Sequence, residues 1–290
     1  MMDELRCYKT MPVWNAQTLP EAFRRRHNTQ AGTWARLSVL KGWLDFELMD
    51  EQGAVTAKIH CTPSSPPPRI EPRQWHRIGE VSADVECQLS FHCLPEDYFA
   101  KRHGLTRTHS EVIEAAAVVV PGRALDLGCG NGRNALYLAM RGFTVDAWDK
   151  DVERVANLRR IAAEEGLMGI QARQVDLEDV AIEGAYDFIL STVVLMFLRS
   201  AAAAALIGRM QDATVPGGCN LIVTAMDTAD CPCPVPFPCT FGFGELSGRY
   251  QGWELLKYNE LHGSLHKTDA EGKPIVLRFA TLLARKPRAS

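Results

Sequence analysis

The chain has 290 residues, 46% of them hydrophobic and 23% charged, with a formal net charge of −3. That length exceeds what one hydrophobic core usually holds and favours two domains, and the composition excludes disorder, collagen and coiled coil. Its 32 basic and 35 acidic residues contain no run of five like charges, so the electrostatic footprint of a general nucleic-acid binder is missing.

The longest apolar stretches, Val112 to Pro121 (broken by Glu114) and Phe188 to Leu198, fall well short of the roughly 20 residues that span a bilayer. No membrane helix is expected. The start, Met-Met-Asp-Glu-Leu-Arg, lacks a basic segment leading into an apolar one and reads as no secretory signal. Nine cysteines without a regular framework suit a reducing compartment, and a cytoplasmic location is the expectation.

Residues 1–95 read as a small all-β domain. Thr33 to Leu40 and Trp43 to Leu48 flank Lys41-Gly42 and predict a hairpin; Ala54 to Cys61 adds a strand before the proline-rich break at 63–68. In Asp84 to Cys93, apolar Val85, Cys87, Leu89, Phe91 and Cys93 alternate with polar residues, the period of a half-buried strand. Several short strands with turn signals suggest a sandwich or barrel. The formal charges of this half cancel. His60, His76 and His92 are candidate metal ligands only on paper, since His-x-His followed by Glu is absent; no metal is expected.

Residues 96–290 alternate helices with apolar strands, the pattern of a parallel sheet covered on both faces. Thr108 to Val119 predicts a helix with Thr108 or Ser110 as N-cap; Arg123 to Leu127 a strand; Arg133 to Met140 a helix. Phe143 to Trp148 reads as a strand, and Val152 to Glu165 as a helix closed by Gly166. Ile170 to Val175, Phe188 to Val194 and Leu221 to Ala225 read as further strands, with the Ala-rich 201–210 as a helix. Gly252 to Glu260 and Ile275 to Ala284 complete seven strands.

The chemistry concentrates at Leu125-Asp126-Leu127-Gly128-Cys129-Gly130-Asn131-Gly132-Arg133-Asn134. Glycines between a strand and a helix let a ligand approach N–H groups that a Cβ would block. Asp149 closes the next strand, where a carboxylate can accept both ribose hydroxyls of an adenosine. Two nucleotide ligands fit this plan. The dinucleotide fingerprint needs a glycine where Arg133 stands, so a pyridine dinucleotide is disfavoured. Gly-x-Gly-x-Gly preceded by Asp126 instead resembles motif I of class I S-adenosylmethionine-dependent methyltransferases. Asp176-Leu177 occupies the place where that family contacts adenine, and Tyr186 to Leu190 matches its fourth strand. Ser191 to Met196 lacks the Asn/Asp-Pro-Pro-Tyr/Phe pattern, which argues against methylation of DNA amino groups.

Asp97-Tyr98-Phe99, Leu105 to Glu111, Leu125 to Asn134, Val145 to Lys150, Tyr186 to Leu198, Ala225 to Asp230 and Leu265 to Ala270 together resemble the TehB family of tellurite-resistance methyltransferases. Residues 10–95 resemble the cupin-like TehB/YeaR-type domain carried by its long form. The resemblance implies an α/β, Rossmann-like class I fold with a seven-stranded mixed sheet, S-adenosyl-L-methionine as cofactor, and tellurite or selenite-like oxyanions as substrate. It implies cofactor contacts from Tyr98, Arg107, Gly128, Gly130, Asp149, Asp176, Leu177 and Val193, and an oxyanion held by His266 and Lys267.

Some relatives carry Arg where Lys267 stands, a bidentate fork in place of a point charge. His266 has an alternative as an exposed hairpin residue, and Arg107 as a brace for the helix that follows. Cys231, Cys233 and Cys239 in the proline-rich loop lack zinc spacing and a fourth ligand, and read as thiols. The activity has two rivals: methylation of a small thiol or metabolite, and an oxyanion sensor without turnover. Oligomeric state stays open, a homodimer included.

Overall fold

The structure, a computed structural model, describes residues 5–268 and 271–288 apart from the side chains of His266 and Lys267. The chain forms two compact units, 1–104 and 105–290.

The first unit is a two-sheet sandwich. One sheet sets β7 (Glu86–Cys93) at its centre, with β1 (Arg6–Thr10) and β2 (Trp14–Asn15) on one side and β3 (Trp34–Lys41) on the other. The other sheet orders β5 (Val55–Cys61), β4 (Leu44–Met49) and β6 (His76–Val81). The alternation read in β7 holds: Cys87 and Leu89 are buried with Leu37 and Val39 of β3, and they meet Leu44, Phe46 and Ile78 of the opposite sheet. The short helix α1 (Glu21–Arg24) lies against β6.

The expected hairpin at Lys41-Gly42 does not form. β3 pairs with β7 and β4 with β5 and β6, so the chain crosses from one sheet to the other there. Gly42 makes the crossing with φ +67, and a Cβ would stand 2.2 Å from Ser82 Oγ. A reverse turn and a sheet-to-sheet corner share this glycine signature; the buried faces of both strands decide between them. The helix α2 (Pro95–His103) follows, with Pro95 in its first turn, Gly104 in the left-handed region at its end, and contacts to β1. It therefore groups with the first unit, although its sequence lies beyond residue 95.

The second unit opens with α3 (Ser110–Val118). Its N-cap is neither Thr108 nor Ser110: His109 Nδ1 accepts from Glu111 N–H at 3.3 Å, while Thr108 Oγ1 donates to Arg133 O at 3.3 Å. Then come β8 (Arg123–Leu127), α4 (Arg133–Met140), β9 (Thr144–Asp149), α5 (Val152–Glu164), β10 (Ile170–Gln174), β11 (Tyr186–Thr192), α6 (Ser200–Ala213) and β12 (Thr214–Ala225). The short α7 (Glu245–Gly248), β13 (Glu254–Thr268) and β14 (Pro274–Arg285) complete it. The seven strands lie in the order β10-β9-β8-β11-β12-β14-β13, parallel through β12, with β14 antiparallel to both its neighbours. This is the seven-stranded mixed sheet of class I methyltransferases.

Alternation places Leu125 and Leu127 of β8 and Ile189 of β11 on the face covered by α6, where Leu206, Ile207 and Met210 are buried. Ala124, Asp126, Val145 and Ala147 turn to the opposite face, and α4 crosses β8, β9 and β10. β12 begins seven residues before the predicted strand, because Pro216-Gly217-Gly218 forms a bulge in a continuing strand. The register jumps there from Tyr186↔Thr214 to Phe188↔Cys219. The β13–β14 hairpin runs past the last β12–β14 pair, Ala225↔Phe279.

Candidate functional site

The glycine loop joins β8 to α4 at the C-terminal edge of the parallel strands, where the strand order reverses and α/β folds hold ligands. Gly128 N–H and Cys129 N–H both donate to Trp148 O, at 2.8 and 2.9 Å, which ties the loop to the end of β9. Gly128 has φ +75, and a Cβ would stand 2.3 Å from Val194 Cγ2, so no other residue lets the two strand ends approach this closely. Asp149 Oδ2 accepts from Gly130 N–H at 2.8 Å and its Oδ1 accepts from Asp151 N–H at 2.9 Å. Both carboxylate oxygens are thereby fixed in position, each with a lone pair left for a ligand.

A cavity of about 460 Å³ opens at this edge, bounded by Gly128, Arg133, Asp149, Asp176, Leu177 and Val193 among others. Its size falls within the range of small-molecule sites, roughly 300–1,000 Å³. A second cavity, about 560 Å³, is bounded by His109, Glu111, Lys257, Asn259, His262 and Thr281. Arg133 and Val193 border both.

Val193 has φ +61, in the left-handed region that a β-branched residue rarely adopts. Its N–H donates to Val223 O at 2.7 Å, which holds it there. Such strain costs on the order of 1–3 kcal/mol and persists where the surroundings impose it. Asn134 braces the same corner: its Nδ2 donates to Thr192 Oγ1 at 3.0 Å and its Oδ1 accepts from His109 N–H at 3.1 Å, linking α4, β11 and the start of α3.

Asp126 lies beneath the loop, fully buried, with Oδ2 lacking a hydrogen-bond partner. Burial pushes its carboxyl up to about 7; Arg133 and the Ala135 N–H oppose the rise, and Asp149 adds to it. Burial in turn lowers the Arg133 guanidinium, against the pull of Asp126. In the second cavity burial works against the Lys257 charge. Glu111 at 2.6 Å and Glu114 at 2.7 Å outweigh it and hold the ammonium above its ordinary range.

Of the residues singled out in the sequence, Gly128, Asp149, Asp176, Leu177 and Val193 border the first cavity. Gly130 stands behind that wall, donating to Asp149. Arg107 is exposed on the segment leading into α3 and borders neither cavity. Tyr98 belongs to α2 of the first unit, its ring edge-on to Phe99 at 5.1 Å. The side chains of His266 and Lys267 lie outside the described residues. The preceding residues Gly263 to Leu265 border the second cavity, and Leu265 packs in one cluster with Val193, Cys233 and Phe237. Sequence reasoning missed Arg133 as a site residue. It entered there only as the residue that breaks a dinucleotide motif, although a cation at the first turn of a helix bordering a nucleotide loop is itself a signal.

The cysteines of the proline-rich loop are free thiols: Cys239 is buried, and Cys233 Sγ contacts Val235 O at 3.3 Å. His60, His76 and His92 have separate partners, Asp45, the Gln74 carbonyl and Ser90.

The family model described as tellurite resistance protein TehB matches residues 91–283, and that of the TehB-like domain matches 9–89. The chain belongs to the TehB family. It is 47% identical over 286 residues to a probable S-adenosyl-L-methionine-dependent methyltransferase TehB of Haemophilus influenzae, covering 99% of this chain and 100% of that one. A crystal structure of TehB from Haemophilus influenzae superposes with a TM-score of 0.96, at 47% identity and with 99% and 100% coverage. A protein of Eikenella corrodens named hemagglutinin 1 is 46% identical over 242 residues, 83% of this chain and 80% of that one. The TehB relatives match from end to end, so the two-unit organisation is common to them.

Proposed function

We propose that the chain is an S-adenosylmethionine-dependent methyltransferase that methylates tellurite, with selenite and related chalcogen(IV) oxyanions as further substrates. The observation that carries this reading is the meeting of two cavities at Val193 and Arg133, one with the features of a nucleoside site and the other open to an acceptor. The residues present suit the cofactor: Gly128, whose missing Cβ lets Val194 close in, borders the cavity with bare backbone, and Asp149 presents fixed oxygens to a ribose. Asp176 and Leu177 would hold adenine, Gly128 and Val193 would bound the methionine moiety, and Gly130 would set Asp149 in place. Arg107 is assigned to the methionine carboxylate on family resemblance.

When bound, the sulfonium supplies an electrophilic methyl group to the lone pair on the chalcogen and leaves as a neutral thioether, so dianion and cation become one methylated monoanion. No proton has to be removed, and the chain needs no general base. Its task is to hold an oxyanion in line, roughly 3–3.5 Å from the methyl carbon, and to place positive charge beside it. His266 and Lys267 are assigned that role, carried on the strand whose Leu265 packs with Val193. Arg133, bordering both cavities, supplies a further cation.

Nine free thiols suit a reducing compartment, and none of the described helices is long and apolar enough to cross a membrane. This reading therefore puts the reaction in the cytoplasm.

The test is purified full-length protein with methyl-labelled cofactor and tellurite. Label recovered in a methyltellurium species, matched by released S-adenosylhomocysteine, supports the reading. Release only when a thiol or metabolite is added as acceptor would reassign the substrate, and cofactor binding with no release would leave a sensor.

A further inference from the structure

A third cavity, about 390 Å³, lies wholly within the first unit, between the two sheets of the sandwich. Its walls are mainly apolar and aromatic: Trp14, Phe23, Phe46 and Phe91 contribute rings, and Leu37, Ile70 and Leu89 fill between them. Among the described residues, no cysteine, carboxylate or guanidinium group borders it. Lys9 and Lys101 do, and among the described lining residues they are not accompanied by an acidic side chain. Lys101 Nζ donates one hydrogen to Thr33 Oγ1 at 2.8 Å, which fixes the ammonium and leaves two donors.

A buried ring nitrogen comes from His76, only 4% exposed on β6. Its Nδ1 lies 2.7 Å from Gln74 O, and a carbonyl can only accept, so Nδ1 carries the proton. Burial draws the imidazole down to about 4 and keeps it neutral at physiological pH, so Nε2 is a lone-pair acceptor on a ring that borders the cavity. His27 packs edge-on against the same ring, with centroids 4.2 Å apart, and Phe46 flanks it at 5.4 Å. A ligand donor entering the cavity would give that lone pair a hydrogen bond from the bound molecule.

We propose that the sandwich unit binds a small flat aromatic carboxylate that carries an N–H or O–H group. The carboxylate meets Lys9 and Lys101, the ring system lies among the aromatic walls, and the donor reaches His76 Nε2. This site is separate from the methyl-transfer site and gives the first unit a function of its own: recognition of an organic anion.

The probe is indole-3-acetate, titrated into the full-length protein by calorimetry and followed by saturation-transfer NMR. Two relatives of the probe separate its groups: indole-3-acetamide lacks the negative charge, and naphthalene-1-acetate lacks the donor. Saturable binding of indole-3-acetate is expected, weakened at least fivefold for either relative. Lys9→Met and Lys101→Met, both at the mouth, should each weaken indole-3-acetate at least threefold while leaving indole-3-acetamide unchanged. His76→Phe should erase the preference for indole-3-acetate over naphthalene-1-acetate; should that core variant not fold, the ligand pair alone still tests the acceptor. Saturation with S-adenosylhomocysteine should leave the indole-3-acetate affinity unaltered. Absence of binding, equal affinity for acid and amide, or displacement by S-adenosylhomocysteine would each overturn the proposal.

Discussion

Both oxygens of Asp149 accept a backbone N–H, at 2.8 Å from Gly130 and 2.9 Å from Asp151, so this side chain positions the loop as well as facing the cavity. Ala at 149 removes the oxygens proposed to accept both ribose hydroxyls. A hydrogen bond to a charged group contributes about 1.5–3 kcal/mol, and Asp149 is half-buried, so the low end applies to each. A loss of about 1.4–2.8 kcal/mol corresponds to a roughly tenfold to hundredfold weaker complex. Asn at 149 tests the geometry separately. Its amide has one acceptor and one donor, and both backbone partners are donors, so one N–H must lose its partner whichever way the amide turns. Calorimetric titration of S-adenosylhomocysteine into the wild type, Asp149→Ala and Asp149→Asn should show both variants weakened, Ala the more. An Ala variant with native near-UV circular dichroism and affinity within twofold of wild type would refute the reasoning.

Four further outcomes follow from the same geometry. Lys267→Met should slow tellurite turnover at least tenfold while changing S-adenosylhomocysteine affinity less than threefold; equal losses in both would remove Lys267 from the oxyanion site. Arg133→Met should lower cofactor affinity and also raise KM for tellurite, because this residue borders both cavities; an effect on one parameter alone would confine it to one cavity. Val193→Gly releases a strained left-handed backbone, so urea unfolding should show no loss of stability, or a gain of up to about 1 kcal/mol, while turnover falls; a loss above about 2 kcal/mol would show that the backbone there is unstrained.

Asp126 gives the pH dependence. Its carboxyl is raised to about 7 in the folded chain from 3.8, so the folded state binds the proton more tightly than the unfolded one. Stability from this group is therefore full below about pH 4 and lost as pH climbs to about 7, by an amount on the order of a few kcal/mol. Asp126→Asn should abolish that slope in unfolding measurements between pH 4 and pH 8, and a parallel slope in both proteins would contradict the shift.

Periodicity made most of the second unit legible. The sequence bounds of β8 and α4 coincide with the structure, α5 and β10 differ by one residue at one end, and β9 by one residue at each end. Errors arose where one local signal serves two tertiary outcomes. Lys41-Gly42 fits a hairpin turn and a corner between sheets alike, and only partner strands distant in sequence select the corner. The strand predicted from Leu221 begins at Thr214, because Pro216-Gly217-Gly218 is a bulge within it where pairing with β11 shifts register. The cap of α3 fell to His109, whose Nδ1 competes with the hydroxyls of its neighbours once Thr108 is drawn to Arg133 O.

Motif spacing located Gly128 and Asp149 of the cavity wall, and the family resemblance added Asp176, Leu177 and Val193. What spacing could not supply was the second cavity, assembled from α3, β13 and β14, elements far apart in the chain with no compact motif. The strain at Val193 was equally invisible, since nothing in Thr-Val-Val signals a positive φ.

A crystal structure of this chain with S-adenosylhomocysteine tests the central claim most directly, that the two cavities meeting at Val193 are donor and acceptor halves of one transfer site. The ribose hydroxyls should lie on Asp149, the adenine beside Leu177, and the sulfur against Val193 with its vacant methyl position directed into the cavity lined by Asn259 and His262. A nucleoside bound elsewhere, or a sulfur turned away from that second cavity, would contradict it.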